Sequence, residues 1–576
     1  MAKDLSTAIL DSLHQVGVRH IFGIPGDAIN GLVDAARRHE HIDFVTVRHE
    51  EAGAFAASAQ AKLTGGLGVV AGTAGPGAIH LLNGLYDAKL DGASVLAITG
   101  QVESSLLGTS AQQEVKLERL FDDVAVFNET VVNPAQMPLV AHNAIREALA
   151  RNGVSVLVVP ADLALAEVES RPTPMIIPPQ ATPRPQRDEI QRAAELLNGS
   201  EAVTILVGIG AAGAVSLVLE GANRLQAPII KALRAKALVS DEHPLVIGGL
   251  GLLGTTAAVE AIERTDVLFM IGTDFPFPDF YPRDARCIQL DIDPTHIGRR
   301  NPVDIALVGD AEETLAALVP QLDQRTDGKH LAKARDAMSE WEDEMLAAET
   351  DDAVPIRPQR LAASIGKHTS PGTIFICDTG AVTAWVARHL KLREGDLFTL
   401  SSTLASMAFG LPGAIGAQLA YPDRPVVAIA GDGGFSMLIG DLMTAVELEL
   451  PLTVVVFNNS KLGLIQIEQE AEGLPEHSTR LSNPDFAEVA RAMGAQGWRV
   501  EHPDELDGAL KSALDSDSVA VVDVVINPEE VTLPPKVEPR FAFGYARAKL
   551  KELIGGQDAL SGMKNAAKQA AERVTN

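Results

Sequence analysis

Short apolar runs alternate with longer stretches of helical spacing along most of the chain. "FVTVRH" (44–49), "GVVAGT" (68–73), "SVLAITG" (94–100) and "VSVLVVP" (154–160) each adjoin a stretch with helical spacing. Runs that are β-branched and apolar on both faces, interleaved with helices, predict the strands of parallel sheets. The alternation resumes between about 188 and 325 and again after 356, where "TIFICDTG", "VVAIAGDG", "LTVVVFNN" and "AVVDVVI" read as strands. Between the first two blocks lies "RPTPMIIPPQATPRPQ" (171–186), whose prolines can continue neither a helix nor a central strand. Between the second and third lies the charged helical stretch "KHLAKARDAMSEWEDEMLAAE". The pattern predicts an α/β protein of three consecutive parallel-sheet α/β domains, at 1–170, 188–325 and 356–530, followed by a C-terminal tail at 531–576.

Length and composition agree with this division. A chain of 576 residues is too long for a single core. Hydrophobic residues at 46% and charged residues at 22% suit a soluble globular protein. A formal net charge of −28 argues against a nucleic-acid partner, which calls for a basic face. Cys287 and Cys377 make neither a disulfide framework nor a zinc site. The start, "MAKDLSTAIL", has no signal-peptide pattern, and no apolar run approaches the roughly 18 residues of a membrane span. The expectation is a cytoplasmic protein.

The candidate chemistry begins at "AIAGDGGFSM" (428–437), where an apolar strand ends on Asp432 among Gly431, Gly433 and Gly434. A helix, "FSMLIGDLMTAVELEL", is expected next, and then the strand "LTVVVF", which delivers Asn458 and Asn459. Asp432 and Asn459 thus stand at the carboxyl ends of successive strands, where open α/β sheets bind their ligands. A carboxylate and an amide oxygen suit Mg²⁺, and the glycines let backbone N–H groups approach an anion. Either piece alone also reads as an ordinary Asp-Gly turn or an Asn-Asn cap. The joint strand–helix–strand spacing favours the cation.

"GDGGFSM…FNN" resembles the motif of the thiamine-diphosphate-dependent enzymes. The resemblance implies a thiamine-diphosphate fold with Asp432, Asn459 and the main-chain carbonyl of Lys461 on Mg²⁺. Gly433 and Gly434 would lie at the diphosphate. It also implies a buried carboxylate in another domain, hydrogen-bonded to the aminopyrimidine ring. "VRHEEAGAFAASAQAK" matches that pattern at Glu50; two acids favoured by a helix N-terminus are the alternative. In "TLASMAFGLPGA" (403–414) the resemblance places Met407 as the support that bends the cofactor. Ser406 would be at the cofactor, and the Ala405 carbonyl would be an acceptor for the aminopyrimidine. Met407 reads equally as a core methionine.

"GIPGDAINGL", "GPGAIHLLNGLYDAK", "GTDFPF", "FYPRDARCIQLDIDP" and "DIALVGDA" are most similar to the pyruvate oxidases and the quinone-linked pyruvate dehydrogenases. His80 is similar to the pattern of that branch, and Glu468 matches an acid of its active site. The resemblance implies oxidative decarboxylation of pyruvate. The products would be acetate and CO₂ with electrons to quinone, or acetyl phosphate and peroxide with oxygen and phosphate. FAD would be held near Gly249, Leu250, Gly251 and Leu252, near Gly272, Thr273, Asp274, Phe275 and Pro276, and at Asp291. An inert α/β middle domain is the alternative. In that domain "VTILVGIGAAGA" also carries Gly208, Gly210 and Gly213 at dinucleotide spacing after a strand. The next strand, "PIIKAL", bears Lys231 and no terminal acid for an NAD ribose.

Two positions depart from the oxidase pattern. Gln112 and Leu464 stand where those enzymes carry aromatic residues lining the reaction pocket. A non-oxidative 2-keto acid decarboxylase, or a carboligase like acetolactate synthase, is therefore the second reading. The tail is net positive, and "RFAFGYARAKLKELI" fits an interfacial helix, so weak peripheral membrane contact at the inner face of the cell membrane is set beside a solvated terminal helix. The family shares its cofactor between subunits, which implies a homodimer at least, with tetramers common.

Overall fold

The computed structural model describes residues 3–168, 182–532, 534–535, 544–549 and 551. Most of the proline-dense segment and of the C-terminal tail, including the 552–576 stretch, lies outside the described residues. Within them are three six-stranded parallel sheets, in agreement with the expected α/β class.

The first sheet comprises β1 (His20–Gly23), β2 (Asp43–Thr46), β3 (Gly68–Gly72), β4 (Val95–Gln101), β5 (Ala125–Thr130) and β6 (Val154–Pro160), in the order β2-β1-β3-β4-β6-β5. β3, β4 and β6 are buried along their whole length, so they are apolar on both faces. Helices α1 (Glu50–Thr64) and α2 (Leu82–Asp91) belong to this unit.

The middle sheet comprises β7 (Val203–Val207), β8 (Ile229–Lys231), β9 (Val246–Gly249), β10 (Val267–Ile271), β11 (Arg286–Asp291) and β12 (Ile305–Val308), in the order β9-β8-β7-β10-β11-β12. Counted within the domain this is 3-2-1-4-5-6, the order of dinucleotide-binding folds. The long helix α3 (Lys329–Glu349) covers the stretch expected to be charged and helical.

The third sheet comprises β13 (Ile374–Cys377), β14 (Leu397–Leu400), β15 (Val426–Gly431), β16 (Leu452–Asn458), β17 (Gln496–Val500) and β18 (Ala520–Val525), in the order β14-β13-β15-β16-β18-β17. It therefore repeats the strand order of the first sheet. Its helices include α4 (Gly410–Ala420), α5 (Asp432–Met437) and α6 (Gly463–Ala471). The single helix expected after Asp432 is instead broken: α5 stops at Met437, a 3₁₀ turn spans Ile439–Asp441, and a second helix runs Leu442–Glu447. The break lets Asp441 turn toward the first domain, where Oδ1 accepts the Arg48 N–H at 2.9 Å.

The first and third units pack through small residues. α1 and α4 cross so closely that a Cβ at Gly416 would lie 2.2 Å from the Ala56 carbonyl oxygen. Glycine is required there by contact, not by conformation. One apolar core runs through both units, with Phe55 edge-on to Phe409 at 5.6 Å. A buried polar cluster ties in the middle domain. Asp91 pairs with Lys62 at 2.7 Å, accepts the N–H groups of Ser402 and Thr403, and has Arg234 at 3.8 Å. Removing one partner of such a pair strands a buried charge, at a cost of about 3–5 kcal/mol. This cluster fixes the start of the 401–409 turn, which leads into the candidate site.

The expected GxGxxG loop folds as a 3₁₀ turn, Ile209–Ala214. Cβ atoms at Gly208 and Gly210 would lie 2.2 and 2.8 Å from Gly272 backbone atoms. These two glycines admit a neighbouring strand end. Lys231 is buried and pairs with Asp241 at 2.7 Å, a structural use.

Candidate active site

In the third sheet the chain passes from β13 outward to β14 and returns to β15 on the other side. The strand order thus reverses between β13 and β15, and a crevice opens at their carboxyl ends. Asp432 follows β15 directly and is buried. Its Oδ1 accepts the Gly433 N–H at 3.0 Å, and its Oδ2 accepts from Asn483 Nδ2 at 2.6 Å. Burial pushes its pKa up to about 6, against these bonds and the Ser460 N–H, which favour the charged form. Asn459 follows β16, and its Oδ1 accepts the Lys461 N–H at 3.0 Å. Ser460 takes a left-handed backbone, φ 55, in this tight turn. Lys461 is anchored by Nζ on Glu529 at 2.6 Å. The Asp432 carboxylate and the Asn459 amide oxygen are both hard oxygen donors, the type that Mg²⁺ takes.

Asn483 is a site residue that the sequence reading missed. Besides Asp432 it donates to Asn458 Oδ1 at 2.9 Å, and Asn458 in turn donates to Asp523 at 2.9 Å. A cavity of about 290 Å³ opens beside these groups, lined by Asn458, Ser460, Asn483 and Arg499 among others.

The 405–409 turn forms the next wall. Met407 is half-buried, and a Cβ at Gly433 would meet its Cε at 3.1 Å. Ala405 is exposed and left-handed at φ 56. Ser406 is joined to the first domain by Asn83, whose Nδ2 donates to Ser406 Oγ at 2.9 Å and to Glu51 Oε1 at 2.6 Å.

Glu50 opens α1, directly after the His49 N-cap, and is buried at 6% exposure. Its Oε2 lies 2.9 Å from His80 Nδ1, and its Oε1 lies beside Gly77, where a Cβ would be 3.1 Å away. The His49 and His80 rings stack at 4.4 Å, and His80 remains exposed. Glu50 and His80 are therefore brought together. The 111–114 loop lies against the same segment: Gln113 packs on Gly75, while Gln112 is exposed. Leu464 and Glu468 share one face of α6, which starts four residues after Asn459; Leu464 is half-buried and Glu468 exposed. The described part of the tail docks on the same helix. Residues 544–549 are helical, and Lys549 pairs with the buried Glu470 at 2.6 Å.

The flavin candidates follow three strands of the middle sheet at one edge: Gly249 to Leu252 after β9, Gly272 to Pro276 after β10, and Asp291 at the end of β11. Along that carboxyl edge stands a row of exposed large apolar side chains, Ile209, Leu252, Phe277 and Ile292. Gly251, at φ 96, faces Phe275 and Phe277, and Arg299 and Arg300 flank Asp274.

Three family models match the chain. The N-terminal thiamine pyrophosphate binding domain covers residues 3–121, the central domain of thiamine pyrophosphate enzymes 190–318, and the C-terminal thiamine pyrophosphate binding domain 378–524. The Bacillus subtilis protein YdaP, named for thiamine pyrophosphate, is 42% identical over 559 residues, 96% of this chain and 97% of its own. The pyruvate oxidase of Lactiplantibacillus plantarum is 34% identical, covering 90% of this chain and 88% of its own. The acetolactate synthase isozyme 2 large subunit of Escherichia coli is 32% identical, covering 91% and 96%.

Proposed function

The chain belongs to the thiamine pyrophosphate enzyme family, and we propose that within it the protein oxidatively decarboxylates a small 2-keto acid, foremost pyruvate, with FAD as the first electron acceptor. The observation that carries the oxidative half is the middle sheet. Its strand order is that of dinucleotide-binding folds, and the edge where such folds hold their ligand displays Ile209, Leu252, Phe277 and Ile292 to solvent. An apolar row at a ligand edge marks a surface that something covers, and a flavin ring is flat and apolar enough to cover it. The Arg299 and Arg300 guanidiniums supply positive charge for its diphosphate.

Bound thiamine diphosphate supplies a nucleophilic thiazolium carbon and an electron sink, and FAD takes up two electrons. The chain's own residues bind and orient. Asp432, Asn459 and the Lys461 carbonyl would hold Mg²⁺, while the Gly433 and Gly434 backbone admits the diphosphate. Met407 and the Ala405 carbonyl would fix the cofactor's bend. Glu50 would hold a proton at the aminopyrimidine, with His80 at its other oxygen. The cofactor would be shared between subunits of a homodimer or tetramer.

Pyruvate and water would then yield acetate and CO₂, with two electrons and two protons passing to quinone. With phosphate and oxygen the yield is acetyl phosphate, CO₂ and hydrogen peroxide. Gln112 and Leu464 favour a second reading, carboligation or simple decarboxylation, because a non-aromatic pocket leaves room for a second keto acid. Product analysis separates the two. Acetate or acetyl phosphate formed in step with acceptor reduction supports oxidation; acetolactate or acetaldehyde formed without acceptor supports the alternative.

A further inference from the structure

One buried acid of the third domain has no part in the chemistry above. Asp378 follows β13 at the point where the strand order reverses, across the crevice from Asp432, and is 1% exposed. Its Oδ1 accepts the Thr379 N–H at 2.8 Å. The N–H groups of Ala408, Phe409 and Gly410 also face the carboxylate and favour its charged form. Oδ2, which makes no hydrogen bond of full geometry, lies against the GDGG turn: a Cβ at Gly434 would be 2.1 Å from it.

Asp378 therefore stands between the two segments expected to touch the cofactor. The 405–409 turn does not hold its shape alone. Ala405 and Ala408 are left-handed, at φ 56 and φ 72, a conformation that side-chain-bearing residues rarely adopt and that their surroundings must impose. Helix α4 begins behind Phe409, which offers no side-chain cap. The N–H groups of Phe409 and Gly410, where it begins, instead face Asp378, 31 and 32 residues earlier in the chain. On the other side Gly434 is glycine because Asp378 occupies the place of its Cβ.

We propose that Asp378 is a positioning residue of the cofactor site. It fastens the 405–409 turn and the start of α4 to the GDGG turn, and so sets Met407 and the Ala405 carbonyl against Asp432. The proposal rests on the reading that these segments hold thiamine diphosphate and Mg²⁺. Burial pushes the Asp378 pKa up to about 7, as expected for a carboxylate kept from water and held by backbone N–H groups alone.

The test titrates cofactor-free protein with thiamine diphosphate at saturating Mg²⁺. Asp378→Asn turns an amide NH₂ toward backbone donors, so the apparent Kd for thiamine diphosphate should rise by about tenfold or more. Unchanged affinity in Asp378→Asn overturns the proposal. Should that variant not fold, Gly434→Ala replaces it. The added methyl collides with Asp378 and should weaken cofactor binding, and with Asp378→Gly in the same chain there is nothing left to collide with, so the double variant should bind no worse than Asp378→Gly alone. Additive losses in the double variant overturn the proposal. Wild-type protein that binds no thiamine diphosphate overturns the functional reading and this proposal with it; wild-type binding with indifferent variants overturns this proposal alone.

Discussion

The side-chain amide of Asn483 donates to Asp432 Oδ2 at 2.6 Å, across 51 residues of sequence. The bond is charge-assisted and supports an ionised carboxylate in a buried place. Asn483→Ala removes it and leaves Asp432 with its backbone donors. A bond of this kind contributes roughly 1.5–3 kcal/mol, so the Mg²⁺ concentration for half-maximal cofactor binding should rise by about tenfold or more. Titration of the cofactor-free protein with Mg²⁺ at fixed thiamine diphosphate reads the change.

Burial holds the Asp432 pKa at about 6, so proton and cation compete for one carboxylate. The half-saturating Mg²⁺ concentration should be flat above pH 7 and climb toward about tenfold per pH unit well below 6. The sign for stability is opposite in the metal-free chain. A folded-state value above the ordinary carboxylate value means that the folded form gains stability as pH falls through 6. Thermal melts with and without Mg²⁺ and cofactor at pH 5 and pH 7.5 should show the cation's stabilisation growing with pH.

Glu50→Gln keeps the size of the side chain and a hydrogen-bonding contact for His80 Nδ1 but cannot carry the charge. Exchange of the cofactor's C2 proton should slow by about a hundredfold or more, the scale of a lost acid–base group. Binding of thiamine diphosphate should change far less. Proton exchange followed by quenched-flow NMR checks it, and an unchanged rate removes Glu50 from the proton's path.

Phe277→Asp places a charge in the exposed apolar row of the middle sheet. FAD retention should fall by about tenfold or more, because apolar cover is replaced by a carboxylate that must lose its water. Thiamine diphosphate affinity should stay unchanged, since that site lies on another sheet. Flavin content after dialysis, measured by absorbance, gives the answer.

The pattern at the proposed diphosphate end is legible because it is local: a strand, a carboxylate, glycines and an Asn pair lie within one strand–helix–strand unit. Glu50 is singled out only through resemblance, since an acid at a helix start is common. Asp378 follows its strand in "FICDTG" as Asp432 follows its own in "AIAGDGG", but no glycine comes directly after it. What distinguishes it, the turn at 405–409 and Gly434, comes from distant sequence. Asn483 was invisible for the same reason: its partner Asp432 is reached through the fold, and "NPD" alone reads as a turn. The broken helix after Met437 also answers to a distant group, the Arg48 N–H that Asp441 accepts. The glycines at 208 and 210, at dinucleotide spacing in the sequence, are closely packed on the Gly272 backbone, a contact that their spacing does not reveal. The first and third sheets share one strand order, which the spacing of the strands along the chain does not give.

The central claim is that this chain moves electrons from a 2-keto acid to a flavin. Protein loaded with thiamine diphosphate, Mg²⁺ and FAD, mixed with pyruvate in the absence of oxygen, tests it most directly. The visible flavin absorbance should bleach in a single turnover, and Glu50→Gln should bleach far more slowly. Flavin that stays oxidised while pyruvate is consumed, or protein that retains no flavin, would contradict the claim and leave the carboligase reading in its place.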